Sequence, residues 1–351
     1  MANRLDSLLD AWRSDPDADW MLAVIASVEG SAYRKSGAMM LFHPSGPSLG
    51  MLSGGCLEAD LRRQAQKALA GNCAVLGRYD ARDETDASYR LGCGGLVDIL
   101  LLPLTRANHR LQFAAMAEAL ASGNRGFWCL ELPPNRAPAD DLCAHFYLEP
   151  EAPFPAADFS RPGRLVSGNQ TGHTYEQQTE QLIVPVRPRP HLAIFGGGMD
   201  ARPLAQMARQ LEWRISIVDP RTSYARPCDF EGCELLKAEA DALSPEFLAS
   251  IDMAVVMHHS LELDAAILPK LSPLPLKYLA LLGPRHRGEK LLNTAGMGWE
   301  DFYCPPASPA GIDLGGELPA DIALSILAAC QASLHGKLTT CARKPNNGGP
   351  G

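Results

Sequence analysis

Apolar residues recur at two different periods along the chain, and the change of period divides it into elements. A short helix over residues 3–14 precedes the strand "WMLAVIASVE" (20–29). The glycine-bounded loop "GSAYRKSG" follows. Two strands, "AMMLFHP" and "LGMLSG", joined by the turn "SGPS", form a hairpin. Leu57, Leu61, Ala65, Ala68 and Leu69 then repeat at the helical period, with Gly71 where a helix would stop. A polar stretch, "RYDARDETDASYR", leads to "LGCGG" and the strand "LVDILLLPL". A helix over 110–123 and the strands "FWCLEL", "CAHFYLE" and "EQLIVPV" complete the first half.

Pro185, Pro188 and Pro190 in "VPVRPRPH" forbid regular ladder pairing and predict an extended spacer. The domain boundary is placed there. After it, strands and helices alternate: "HLAIF", a helix over 199–212, "RISIVD", a helix begun by Ser244–Pro245, "DMAVVMH", "KYLALLG", and a closing helix over 319–336. Such alternation implies a parallel sheet. The expected fold class is α/β: a mixed α+β N-terminal domain (1–188), a Rossmann-like parallel-sheet domain (189–343) and a disordered tail (344–351).

The 351 residues suit two domains, and 46% hydrophobic with 21% charged residues is a globular composition. A net charge of −8 argues against a nucleic-acid partner, which selects a basic face. The N-terminal residues lack the apolar core of a signal peptide, and the longest apolar runs are too short to span a bilayer. The expectation is a cytoplasmic protein without a membrane partner. Ten cysteines are present with no CxxC pair, so a zinc ribbon is not indicated and most are expected to be small buried hydrophobes.

Two cysteines stand apart. Cys56 follows Gly54 and Gly55 and precedes a helix, where free N–H groups and the helix dipole favour a thiolate or an anion. Cys93, in "LGCGGLVD", repeats the pattern; the alternative is a tight turn with its thiol packed inside. Arg34 and Lys35 in the glycine-bounded loop suit an anionic ligand, and the alternative is a plain surface turn. "GGGMDA" gives G-x-G-x-x-A with Gly196, Gly198 and Ala201 between a strand and a helix, and Asp219 ends the next strand. That pattern predicts a diphosphate on the helix N-terminus and a ribose on Asp219, or a Rossmann-type sheet with a vestigial site. Arg221 beside Asp219 leaves NAD and NADP undecided. His258 and His259 end a strand, where cap residues are more common than ligands. "GPRHRGEK" (283–290) reads as a basic loop able to meet phosphate or solvent.

Taken in order, "VEGSAYRKSGAMML" with "LGMLSGGCLEADL", "LGCGGLVDILL", "HLAIFGGGMDARPLAQMARQLEWRISIVDPR" and "SPAGIDLGGELPADIALSILAA" resemble the xanthine dehydrogenase accessory factor family of the XdhC/CoxI type. The resemblance runs from residue 28 to about 330. Tyr33 departs from a proline usual in the family, and Pro284 from a serine. The resemblance implies a carrier of the molybdenum cofactor that protects it, assists its sulfuration and helps insert it into a xanthine dehydrogenase-like molybdoenzyme, with a cysteine desulfurase as a second partner. It implies a maturation factor rather than a turnover enzyme. The cofactor's phosphate would use Gly54, Gly55, Arg34 and Lys35, and Cys56, assisted by Cys93, would approach the molybdenum or exchange sulfur. Glu58 would complement the helix dipole or contact the pterin. The alternative is an NAD(P)-dependent oxidoreductase built on Gly196, Gly198 and Asp219. A third reading joins the two, with the second domain holding the nucleotide of a dinucleotide form of the cofactor. A homo-oligomer, most simply a two-fold dimer, is expected.

Overall fold

The structure is a computed structural model that describes residues 4–55, 57–80, 95–132, 142–153, 163–169 and 178–338. Cys56, Cys93 and residues 344–351 lie outside these. The chain divides into two compact units, Met1–Pro188 and Arg189–Gly351.

Unit 1 runs α1 (Leu5–Ser14), β1 (Met21–Glu29), β2 (Met39–Phe42), β3 (Ser48–Gly50), α2 (Glu58–Gly71), β4 (Val75–Asp80), β5 (Leu96–Pro103), α3 (Phe113–Ala121), β6 (Gly126–Leu132), β7 (Ala144–Leu148), β8 (Arg164–Asn169) and β9 (Gln178–Val186). Two antiparallel sheets form, in the orders β3-β2-β1-β5-β4 and β7-β6-β9-β8. The near-continuous apolar run of β1 follows from burial on both faces. Leu22, Val24 and Ala26 face a core with α1, α3 and the second sheet, while Met21, Ala23 and Ile25 face α2 through Leu61, Ala65 and Ala68. Trp128 anchors the first core, fully buried, and its indole N–H donates to Leu111 O at 2.7 Å.

That bond explains one departure from the sequence reading. The helix expected from 110 begins only at Phe113, because His109 to Gln112 take positive φ of 48–64° and wind the chain left-handed beneath Trp128. A second departure is Pro185, which lies inside β9 opposite Phe127. Strand β8 begins opposite Ile183, so beyond that point β9 is paired on one side only and tolerates a residue without an N–H. A third is the strand expected over 49–54, of which only the start is paired; residues 51–55 turn instead. Of the seven cysteines among the described residues, Cys129, Cys304 and Cys330 are buried, while Cys143 and Cys228 are exposed and Cys73 and Cys233 lie between. Among the described residues, burial therefore holds for three of these seven cysteines. Burial pushes the Cys129 thiol up to about 12, which keeps it protonated and unreactive.

Unit 2 runs β10 (His191–Phe195), α4 (Ala201–Gln210), β11 (Arg214–Val218), β12 (Glu234–Leu236), α5 (Pro245–Ala249), β13 (Met253–Val256), α6 (Leu261–Leu271), β14 (Tyr278–Leu281), α7 (Arg285–Ala295) and α8 (Pro319–Leu334). Its five strands are all parallel, in the order β12-β11-β10-β13-β14, the Rossmann-like arrangement expected. Leu192 and Ile194 face α4 and α8; Ala193 and Phe195 face α6 and α7. Ser244 caps α5 as its pairing with Pro245 predicted, accepting from Phe247 N at 3.1 Å.

At the amino edge of this sheet His191 is buried, its N–H donating to Asp252 and its ring Nδ1 to Ser250 O at 3.0 Å. Desolvation first, then the nearby Arg214 charge, lower its pKa from 6.5 to about 4. The folded chain thus resists a proton that the unfolded chain accepts. Stability is expected to fall as pH drops through the window from 6.5 to about 4, by up to about 3 kcal/mol from this group. Urea unfolding at several pH values, in the wild type and in His191→Gln, measures it: the variant should lose that part of the slope, and an unchanged slope would refute the assignment.

Candidate functional site

Strand register places three parts of unit 1 at one end of its first sheet. Glu29 at the end of β1 pairs with Leu96 at the start of β5, which also pairs with Asp80 at the end of β4. On the other side Met39 opens β2 opposite Val24, and Gly50 closes β3 opposite Met40. Loop 30–38, the turn over 51–55 and Gly95 therefore share that end. Gly95 passes so close to the first of these that an added Cβ would press on Ser31 O and lie 2.9 Å from Glu29 O.

The turn is held from below by Glu58, the first residue of α2. Its Oε1 accepts from Leu52 N at 3.1 Å and Ser53 N at 2.8 Å, and its Oε2 accepts from Ser53 Oγ at 2.5 Å. Ser53 Oγ in turn accepts from Leu57 N at 2.9 Å. Glu58 is thus turned back on the chain rather than toward a ligand, which answers the choice left open for it. Gly55 has φ +106°, a conformation that requires glycine. Gly54 and Gly55 are both exposed, and a Cβ on either would meet nothing within 4 Å. Arg34 reaches this turn, donating from Nη1 to Met51 O at 3.3 Å. Lys35 is exposed on the same loop. The structure thus brings Arg34, Gly54 and Gly55 together at one sheet end, with exposed glycine backbone beside a guanidinium. Cys56 and Cys93, the two cysteines singled out from the sequence, fall outside the described residues.

Two polar groups near this end were not legible as such. Asp98 stands in the apolar run of β5, 1% exposed, and takes a two-pronged contact from Arg78 at 2.9 and 3.2 Å plus Ser27 Oγ at 3.0 Å. An acid inside a buried strand signals a partner, but nothing local names Arg78. Hydrogen bonding to Asp98 and its charge raise the Arg78 pKa further.

In unit 2 the strand order reverses between β10 and β13, and the carboxyl edge there carries the glycine fingerprint. Gly196, at φ +124°, is pressed against the Met257–His258 peptide, where any Cβ would collide. Asp219 is fully buried. Its Oδ1 accepts from Arg221 N at 3.0 Å and Arg221 Nε at 2.9 Å; its Oδ2 accepts from Gly197 N and Arg221 Nη2, each at 2.8 Å. Burial opposes its charge, but the hydrogen bonds from Arg221 and Gly197 win, and its carboxyl stays below the usual range. His258 and His259 diverge, as adjacent residues at a strand end should. His259 Nε2 meets Asp200 Oδ2 at 2.6 Å. Buried His258 meets Asp264 Oδ1 through its backbone N at 2.9 Å and Nδ1 at 3.0 Å, and Arg287 Nη2 donates to Asp264 Oδ2 at 2.6 Å. Residues 285–290, read as a basic loop, instead open α7, with Arg287 spent on Asp264 and Arg285 lying over the Trp299 ring. Among the described residues no three His, Cys, Asp or Glu side chains cluster to hold a metal, and no helix is long and apolar enough to cross a membrane.

Comparison with known proteins agrees with this architecture. Residues 15–80 match the XdhC and CoxI family, and residues 192–330 match the XdhC Rossmann domain. A protein of Bacillus subtilis described as a probable subunit of xanthine dehydrogenase is 32% identical over 326 residues, 92% of this chain and 95% of that protein. The uncharacterised protein YqeB of Escherichia coli is 30% identical over 144 residues, 40% of this chain and 26% of its own length. The crystal structure of a xanthine dehydrogenase from Bacillus halodurans superposes with a TM-score of 0.74 at 25% identity, covering 97% of this chain and 98% of that one. With the fold, the fingerprints and a relative matched nearly end to end in accord, the chain belongs to the XdhC and CoxI family.

Proposed function

We propose that this protein is an accessory factor of a xanthine dehydrogenase-like molybdoenzyme, one that binds the molybdenum cofactor as cargo, assists its sulfuration and passes it to the enzyme. The observation that carries the reading is the open Gly54–Gly55 turn beside Arg34, at the sheet end where loop 30–38 and Gly95 also lie. The cargo is a pterin with a dithiolene and a phosphate. Exposed glycine backbone lets such a group approach closely, and the cation on the adjoining loop favours its anionic end. Arg34, Lys35, Gly54 and Gly55 would hold the phosphate. Cys56 would meet the metal or exchange sulfur as a thiolate, with Cys93 assisting. The relatives named as xanthine dehydrogenases support the choice of partner enzyme; a cysteine desulfurase is proposed as the source of sulfur.

The test is direct. The protein, purified without oxygen, is mixed with molybdenum cofactor released from a donor enzyme and desalted, and co-eluting molybdenum and oxidised pterin are measured. Wild type should retain about one pterin per chain, and Cys56→Ser should lower retention at least about tenfold, about 1.4 kcal/mol of binding. No retained pterin, with tight NAD(H) binding in a parallel titration, would replace the carrier by the oxidoreductase reading.

A further inference from the structure

A Rossmann-type fingerprint ordinarily lays a dinucleotide's diphosphate on the glycine-loop amides and its ribose on the acid ending the next strand. Here both partners are already engaged by the chain itself. Gly197 gives its N–H to Asp219 Oδ2 at 2.8 Å, and its carbonyl accepts from Ala225 N at 3.2 Å. A Cβ on Gly197 would stand 2.6 Å from Ala225 Cα and 2.7 Å from its Cβ, so Ala225 covers that face of the loop. Asp219 accepts four hydrogen bonds, about what a carboxylate can take. A ribose hydroxyl would have to displace Arg221.

The segment that does this is tied down. Between β11 and β12 the chain runs through turns instead of a helix. Arg221 stacks over the Tyr224 ring at 3.6 Å, and Lys237 Nζ donates to the carbonyls of Arg221 and Tyr224. Asp229 pairs with Arg226 and with Arg202 of α4, each at 2.7 Å. Ala225 is wholly buried at φ +45°, a left-handed conformation that a residue with a β-carbon keeps only when its surroundings impose it.

The geometry points to a nucleotide site filled by its own chain: residues 219–225 take the place of the adenosine half of a dinucleotide, and unit 2 excludes NAD(H) and NADP(H). The inference concerns unit 2 alone and stands or falls apart from the cargo site proposed in unit 1.

Calorimetric titration of the full chain with NAD+ and with NADP+, up to about 1 mM, tests it in three proteins. Wild type should show no saturable binding. Asp219→Ser releases the Gly197 N–H and the Arg221 guanidinium together, both seekers of phosphate, and should gain NADP+ binding at least about tenfold over NAD+. Arg221→Gln frees acceptor positions on Asp219 and should gain NAD+. Circular dichroism and a thermal melt establish that each variant is folded, and a gain in either folded variant supports the closure. Saturable wild-type binding of either dinucleotide would overturn it, as would folded variants that stay as silent as wild type. Should neither variant fold, hydrogen exchange of the wild-type Gly197 amide decides: slow exchange unaltered by dinucleotide supports the inference, and exchange that slows on adding it overturns it.

Discussion

Glu58→Ala is expected to destabilise unit 1 by about 3 kcal/mol and, if the proposed cargo site is right, to strip most of the pterin wild type should retain. The size follows from charge-assisted hydrogen bonds worth about 1.5–3 kcal/mol each, counted together as less than their sum because they share one half-buried carboxylate. Removing the carboxylate leaves the amides of Leu52 and Ser53 without their acceptor and frees the Ser53 hydroxyl that accepts from Leu57. The turn before α2 then keeps, among the described residues, only the Leu57 N to Ser53 Oγ bond as an internal brace. Glu58→Gln keeps one acceptor oxygen and should fall between. Hydrogen exchange separates this from a general loss of fold: protection should vanish first at Leu52, Ser53 and Leu57. Amides there that exchange as slowly in Glu58→Ala as in wild type would refute the bracing role.

The second large effect belongs to Asp264. It is 1% exposed and joins the backbone and ring of His258 to the guanidinium of Arg287. Asp264→Ala should cost unit 2 about 3–5 kcal/mol, because the loss falls mainly on the charge left behind at Arg287. Asp264→Asn should recover little, since its amide NH2 must face one of the donors the carboxylate satisfied. Pairing Asp264→Leu with Arg287→Met removes the orphaned charge and should regain a substantial part. Urea unfolding, followed through the exchange of β13 amides, measures all three. Unchanged stability in Asp264→Ala would refute the role given to this carboxylate.

What could be read from the sequence was whatever is encoded locally. The apolar runs of β1, β5, β10, β13 and β14 stand within a residue or two of their places, because burial on both faces writes a dense apolar signature. The alternation of strands and helices after residue 189 predicted the parallel sheet correctly. Strand β4 escaped notice because Gly77 interrupts its pattern; the Tyr79 ring covers that gap, 2.9 Å from where a Cβ would stand. Strand β8 sets only Leu165 and Val166 among polar residues and glycine, and its sheet place depends on a partner elsewhere in the chain. At the sites, the residue types were legible and their partners were not. Glu58 read as a dipole complement, and only the turn's path shows it gripping Leu52 and Ser53. Arg221 read as an ambiguity about the nucleotide, whereas its side chain closes on Asp219 two residues back. His258 and Arg287, 29 positions apart, meet at Asp264 only because β13 and β14 are neighbours.

The first sheet of unit 1 also has a far end, and its use is practical. There β2 and β3 are joined by a tight turn in which His43 N donates to Pro47 O and Gly46 N to His43 O, each at 3.0 Å. Space around Gly46 is open. About 13 Å of paired strand separates this turn from the Gly54 end. A tether or dye inserted after Ser45 would therefore hold unit 1 by the end of this sheet opposite loop 30–38 and the turn over 51–55. The proposed cargo uptake could then be followed one molecule at a time, by a probe at the opposite end of the sheet from the Gly54–Gly55 turn.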